Sequence, residues 1–353
     1  MTTSSTLKQV IRRTNEKAWL MRLHNVVTEA RITANLLTVT NVYVALKSKP
    51  LLLLVGPEDQ NKTNFVRCLA HQMIGSSCFQ CQILLGHPWW VSPNLNLAFF
   101  SRVHSRFTSE KIMCLLEEAA LPGNERNLFF AGLLKISPAE LQGFFTEVSY
   151  QLQHGGVIRF GDLHLDHPFP FPETMHWVGT MDVNRFLWWD PDLLASTTVV
   201  HWQEAVDRRI DCSLMYKSFE PYENVALLNP VRTEEAAHRK ISKVLGGVQR
   251  PLAPLFNLQD ILARHQMPFP EKARKDIVIY LANAWSYDGS GLFDQSVKLN
   301  LEIGLDYALA QYFLPRLFEP LIRNPNLVKV LEEYFHQHFR YSFEQLIWLC
   351  DPG

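Results

Sequence analysis

The chain has 353 residues, of which 47% are hydrophobic and 20% charged, and 34 Lys and Arg stand against 35 Asp and Glu. That composition excludes a disordered or fibrous chain and supports a large core, with length enough for two domains. The near-neutral balance excludes a global electrostatic drive toward nucleic acid and leaves open only a local basic patch.

Residues 1–45 read as an N-terminal helical segment, with Val10, Trp19, Leu20, Leu23 and Val27 near helical spacing and basic residues between them. A solvated basic face explains that pattern more cheaply than a binding face. Residues 41–46 close a helix that feeds the first strand. No run of about 18 apolar residues is present and residues 1–19 lack a secretory apolar core, so the expectation is a cytoplasmic protein without a membrane span. The six cysteines are scattered, and only Cys78-Phe-Gln-Cys81 has metal or redox spacing. No second pair completes a zinc site, which points to reduced thiols.

The most informative stretch is Leu51-Leu52-Leu53-Leu54-Val55-Gly56-Pro57-Glu58-Asp59-Gln60-Asn61-Lys62-Thr63. An apolar strand ends at a glycine, and a Lys-Thr pair opens a helical pattern through Phe65 and Leu69. This is the layout of a phosphate-binding loop, G-x-x-x-x-G-K-[ST], whose backbone N–H groups and helix N-terminus face phosphates. The lysine neutralises phosphate charge and the hydroxyl takes Mg²⁺. Gly56, Lys62 and Thr63 match, whereas Asn61 replaces the second glycine, a replacement the expectation excuses because Asn tolerates positive φ. Glu58 and Asp59 oppose a triphosphate, at about 1 kcal/mol each at 4 Å with water-like screening.

Beyond this loop, strands are predicted over 82–86, 127–132, 175–180 and 198–202, with helices over 109–120 and 137–150 between them. The tryptophans of 87–94 sit in a proline-bounded loop, and 155–172 reads as a hairpin or insertion. From residue 234 the pattern is helical, clearest over 260–265, 272–287, 299–313 and 326–339. Strands alternating with helices predict a parallel sheet covered on both faces.

Five segments in order carry a resemblance. The loop at 51–63 is followed by the 87–94 loop with the 109–120 helix, and then by Gly179-Thr180-Met181-Asp182, where the pattern is G-T-[MV]-N. Next come the stretch that runs from Asp190-Pro191-Asp192-Leu193-Leu194-Ala195-Ser196 to Val200, and the one from Leu305-Asp306-Tyr307-Ala308-Leu309-Ala310 to Leu317. Over about residues 45–320 the chain resembles the McrB-like AAA+ ATPases and GTPases. The resemblance implies a doubly wound α/β P-loop core over 46–225 and a C-terminal helical lid domain over 226–353. It also implies ATP or GTP with Mg²⁺ as the ligand, held by Gly56, Asn61, Lys62 and Thr63.

The departures weaken that implication. The Asp-Glu pair that ends the family's third strand aligns with Ala131 and Gly132, which can bind no cation and orient no water. Asp182 replaces the sensor asparagine, and Ala195-Ser196 replaces the pair that contains the finger arginine. The expectation is therefore a catalytically degenerate AAA+ subunit with weak or no nucleotide binding. It would act as a structural or regulatory partner of an intact AAA+ subunit or a nuclease in a prokaryotic defence or nucleic-acid-processing assembly. The alternative is an active Mg²⁺-dependent motor of a restriction-type system. Three further features have cheaper explanations. Asp162, His164, Asp166 and His167 read as surface polar residues before a metal site, and Arg208-Arg209 as a solvated turn before a displaced finger. Trp177, Trp188, Trp189 and Trp202 read as packing before base stacking. A third reading, a nucleic-acid adaptor, would need a basic groove that the charge balance does not advertise.

Overall fold

A computed structural model describes residues 15–57, 60–74, 79–86, 110–137, 140–154, 171–183, 189–202, 230–246 and 252–350. Two N-terminal helices, α1 (Glu16–Glu29) and α2 (Leu36–Ser48), lead into β1 (Leu51–Gly56) and α3 (Gln60–Ile74). Each of the first two is capped by an asparagine: Asn15 Oδ1 accepts from Ala18 N, and Asn35 Oδ1 from Thr38 N. Next come β2 (Cys81–Leu85), a helix α4 over 110–120, and β3 (Phe129–Leu134). A π-helical turn, Leu141–Thr146, then runs into α5 (Glu147–His154). The sheet is completed by β4 (Met175–Asp182), the short α6 (Pro191–Ser196) and β5 (Thr197–His201).

The five strands are all parallel, in the order β2-β3-β4-β1-β5. Both faces are buried, as the unbroken apolar strands require. Leu52, Leu54, Phe130, Val178 and Val200 face one core with α1, α2 and α3. Leu51, Leu53, Val55, Phe129 and Trp177 face the other, with α4, the π turn and α6. Trp177, Trp189 and Trp202 are buried, so the packing reading holds for them; Trp188 lies outside the described residues.

The helical tail comprises α7 (Glu234–Val244), α8 (Ala253–Arg264), α9 (Glu271–Asn283) and α10 (Val297–Ala308). A π turn (Leu309–Phe313) and a 3-10 turn (Leu314–Leu317) then lead to α11 (Phe318–Arg323), α12 (Pro325–His338) and α13 (Arg340–Cys350). These helices share the first core with α1–α3. Polar ties cross the same boundary: Tyr280 Oη donates to Asn41 Oδ1 at 2.6 Å, and the hydroxyls of Thr198 and Tyr312 meet at 2.9 Å. No described helix is long and apolar enough to cross a membrane.

Candidate phosphate-binding site

The strand order fixes where a ligand can sit. From β1 the chain leaves toward β2 at one edge, through α3 on one face. From β4 it leaves toward β5 at the other edge, through α6 on the opposite face. Between the carboxyl ends of β1 and β4 the connections diverge and open a crevice, the usual ligand position in a parallel sheet. Gly56 ends β1 there and lies level with Asp182 of β4. A side chain at Gly56 would collide with the carbonyl oxygen of Trp202, just past β5, so the close approach of two backbones demands glycine there, whatever the ligand.

Lys62 and Thr63 lie in the first turn of α3, aimed at this edge. The Lys62 side chain is 1% exposed; its ammonium donates to the carbonyls of Gly56, at 3.3 Å, and Pro57, and makes an ion pair with Asp182 Oδ1 at 2.9 Å. Burying that cation alone would be costly, and Asp182, at 26% exposure, offsets the cost while remaining in touch with solvent. Thr63 is 2% exposed and its Oγ1 has no hydrogen-bond partner among the described residues. An orphaned hydroxyl beside a buried lysine at a helix N-terminus is the arrangement a phosphate chain or its cation would satisfy.

Two expectations are corrected. Asn61 is not a positive-φ residue: α3 already begins at Gln60, and Asn61 sits in helical conformation with Oδ1 accepting from Thr33 N at 3.3 Å. Asparagine there ties the loop helix to the α1–α2 connection instead of substituting for glycine's freedom. The end of β3 also shifts. Ala131 and Gly132 lie level with Trp177 and Val178, hence with Leu51 and Leu52 at the start of β1, five and four rows, or roughly 17 and 13 Å, below Gly56. The residues that follow β3 at the crevice are Lys135, Ile136 and Ser137. Lys135 takes φ 53° and donates its N–H to Thr180 Oγ1 at 2.8 Å, while Ile136 N donates to Thr180 O at 2.9 Å. None of the three is a carboxylate, so the cation ligand absent from Ala131-Gly132 is absent from the corrected position too. At the former finger position, Ser196 Oγ reaches Ser149 O of the same chain at 3.5 Å.

One residue of this edge, His201, carries no sequence signal beyond its place at the end of an apolar strand. It lies level with Val55, and its ring packs on Trp348 of α13 with centroids 3.8 Å apart. Tyr341 Oη donates to the His201 carbonyl at 3.1 Å, and the Gln345 side-chain nitrogen lies 3.4 Å from His201 Nδ1. Burial, and secondarily the Lys62 charge, push its pKa down to about 4. Helix α13 is itself anchored at its N-terminus by Asp306, which accepts from Tyr341 N and Ser342 N at 2.9 and 2.7 Å.

The other candidates divide between buried positions and undescribed ones. Glu58, Asp59, Cys78, the 87–94 loop, Asp162, His164, Asp166, His167, Arg208 and Arg209 lie outside the described residues. Cys68 and Cys81 are free thiols whose pKa values burial pushes up to about 12 and about 11. Among the described residues no cluster of His, Cys, Asp and Glu could hold a metal ion.

A scan of protein-family models and a search of curated proteins both find no match to this chain.

Proposed function

We propose that the chain is a catalytically degenerate P-loop subunit of the AAA+ type, which holds a phosphate chain weakly and works through a protein partner rather than by hydrolysis. One observation carries the reading: the lysine that should meet phosphate is buried against a carboxylate of its own chain. A triphosphate entering the crevice must compete with Asp182 for Lys62, and it meets the repulsion of that same carboxylate. The residues present fit a polyphosphate through Lys62, Thr63 and the first turn of α3. They fit hydrolysis poorly, because Lys135, Ile136 and Ser137 stand where a cation-binding carboxylate and a water-orienting one belong. Bound Mg²⁺ would neutralise phosphate charge, and Thr63 Oγ1 is the group placed to touch it. The partner, an intact AAA+ subunit or a nuclease of a defence assembly, and the lid role of the C-terminal helices rest on the sequence resemblance alone.

A second reading, an active Mg²⁺-dependent motor, is favoured by Asp182 itself. A carboxylate level with the loop glycine could serve a cation from β4 in place of the one missing after β3. ATP and GTP turnover by the wild-type chain and by Lys62→Ala separates the two. The degenerate reading expects equal rates with Mg²⁺ present. A Lys62-dependent rate that is also lost in Asp182→Asn would establish the motor instead.

A further inference from the structure

Thr63 is not the only unsatisfied polar group at the crevice. The Nε2 atom of His201 is buried and has no hydrogen-bond partner among the described residues. Its chemical state follows from its neighbours. With the Gln345 amide nitrogen turned toward Nδ1, Nδ1 accepts and the proton of a neutral imidazole stands on Nε2. The ring is neutral at physiological pH because burial and the nearby Lys62 disfavour a second proton. Leaving an N–H donor buried and unpaired costs about 1–3 kcal/mol, a cost that a phosphate oxygen reaching Nε2 would remove.

We propose that His201, held in place by α13, is a third donor of the phosphate-binding edge, acting beside Lys62 and Thr63 on the terminal phosphoryl group of a polyphosphate chain. The three groups reach one edge from two elements: Lys62 and Thr63 from the start of α3, and His201 from the end of β5 next to β1. Trp348 covers the imidazole face and Tyr341 holds its backbone, so α13 fixes the ring's position. A neutral donor suits this place, since a second cation beside Lys62 would be repelled while an N–H is not. The inference rests on the reading of the crevice as a phosphate site.

The test is calorimetric titration of the full-length chain with sodium tripolyphosphate and, separately, with ATP, each with and without Mg²⁺. Tripolyphosphate binding equal to that of ATP would mark the phosphate chain as the feature recognised, and tighter ATP binding a nucleotide. His201→Phe should weaken both ligands roughly tenfold, the usual worth of a hydrogen bond to a charged group. His201→Gln, which keeps an N–H at similar reach, should stay within about threefold of wild type by the same scale. If the phenylalanine variant does not fold, ¹⁵N-histidine spectra of the wild-type chain take its place, with the His201 Nε2 resonance expected to move on adding tripolyphosphate. Affinity lost in Lys62→Ala but unchanged in His201→Phe, or an unmoved Nε2 resonance at saturation, overturns the role of His201 and leaves the phosphate reading standing. Absence of binding by the wild-type chain to either ligand overturns it as well. Lys62-dependent hydrolysis would overturn the degenerate reading without touching the His201 result.

Discussion

Two buried lysines sit at opposite ends of β1, and their surroundings differ in one respect. Before the strand, Lys49 donates to Asp276 Oδ2 at 2.8 Å and to Leu194 O at 2.7 Å. Arg316 joins the same two oxygens at 2.7 and 2.9 Å, so both cations share one carboxylate of α9, and the Leu194 carbonyl near the end of α6 is capped by Lys49 and by Arg316 of the 3-10 turn. After the strand, Lys62 has one partly wet carboxylate, and two polar atoms near it, Thr63 Oγ1 and His201 Nε2, have none. The first cluster bonds its members to one another within the fold, whereas the second leaves polar atoms over at the edge proposed to bind phosphate.

The largest effect that would test this contrast is at Asp276. Replacing it with leucine strands Lys49 and Arg316 in the interior without a counter-charge. A cost of about 3–5 kcal/mol is expected for breaking a buried network at one member. Urea unfolding reads it directly, and a loss below about 1 kcal/mol would remove the structural role assigned to this end of the strand. The same measurement on Asp182→Asn should show much the smaller loss, since its carboxylate is partly hydrated.

Much of this layout was legible in the residues. The five strands were readable because apolar runs ending in Gly, Pro or polar turns have few other uses, and strand–helix alternation leaves a parallel sheet as the outcome. The loop motif located Gly56, Lys62 and Thr63, and the following segments located Asp182. The register of β3 was not legible: Asn127 and Leu128 lead without a break into Phe129, and a strand buried on both faces has no alternation to set its phase. His201 was hidden for another reason. The groups that define its state lie about 140 residues away in α13, and no local pattern announces a contact of that range.

pH separates the two ends next. Both His201 and Lys49 are bases whose pKa values fall on folding, chiefly through burial, from 6.5 to about 4 and from 10.5 to about 8. In each window the unfolded chain binds more protons, so stability rises with pH across it. For His201 the contribution is full above pH 6.5 and is lost as pH falls toward 4; for Lys49 the gain comes between pH 8 and 10.5. Comparing wild type with His201→Gln isolates the first window, where about 1–2 kcal/mol of extra acid sensitivity is expected of the wild type, under the ceiling of about 1.4 kcal/mol per pH unit. Lys49→Met should flatten the second window and leave the first unchanged. Parallel curves for wild type and His201→Gln between pH 4 and 6.5 would mean that the imidazole is not buried as described.

The smallest effect is the one closest to function. Asp182 both supports Lys62 and competes for it, so its charge should cost affinity for anything anionic in the crevice. Asparagine keeps the shape and a carbonyl acceptor for the ammonium while removing the negative charge. At a separation of about 4 Å and water-like screening the relief is about 1 kcal/mol for each unit of phosphate charge, which is roughly fivefold in affinity. Calorimetric titration of Asp182→Asn with tripolyphosphate should therefore show tighter binding than wild type by about that factor, and Lys62→Ala in the same background should abolish the gain. Unchanged or weaker binding would mean that Asp182 contributes to holding the ligand, as it would if it carried a cation for an active motor. The sign of this one substitution therefore separates a lysine restrained by its own chain from a catalytic carboxylate that has moved to a new strand.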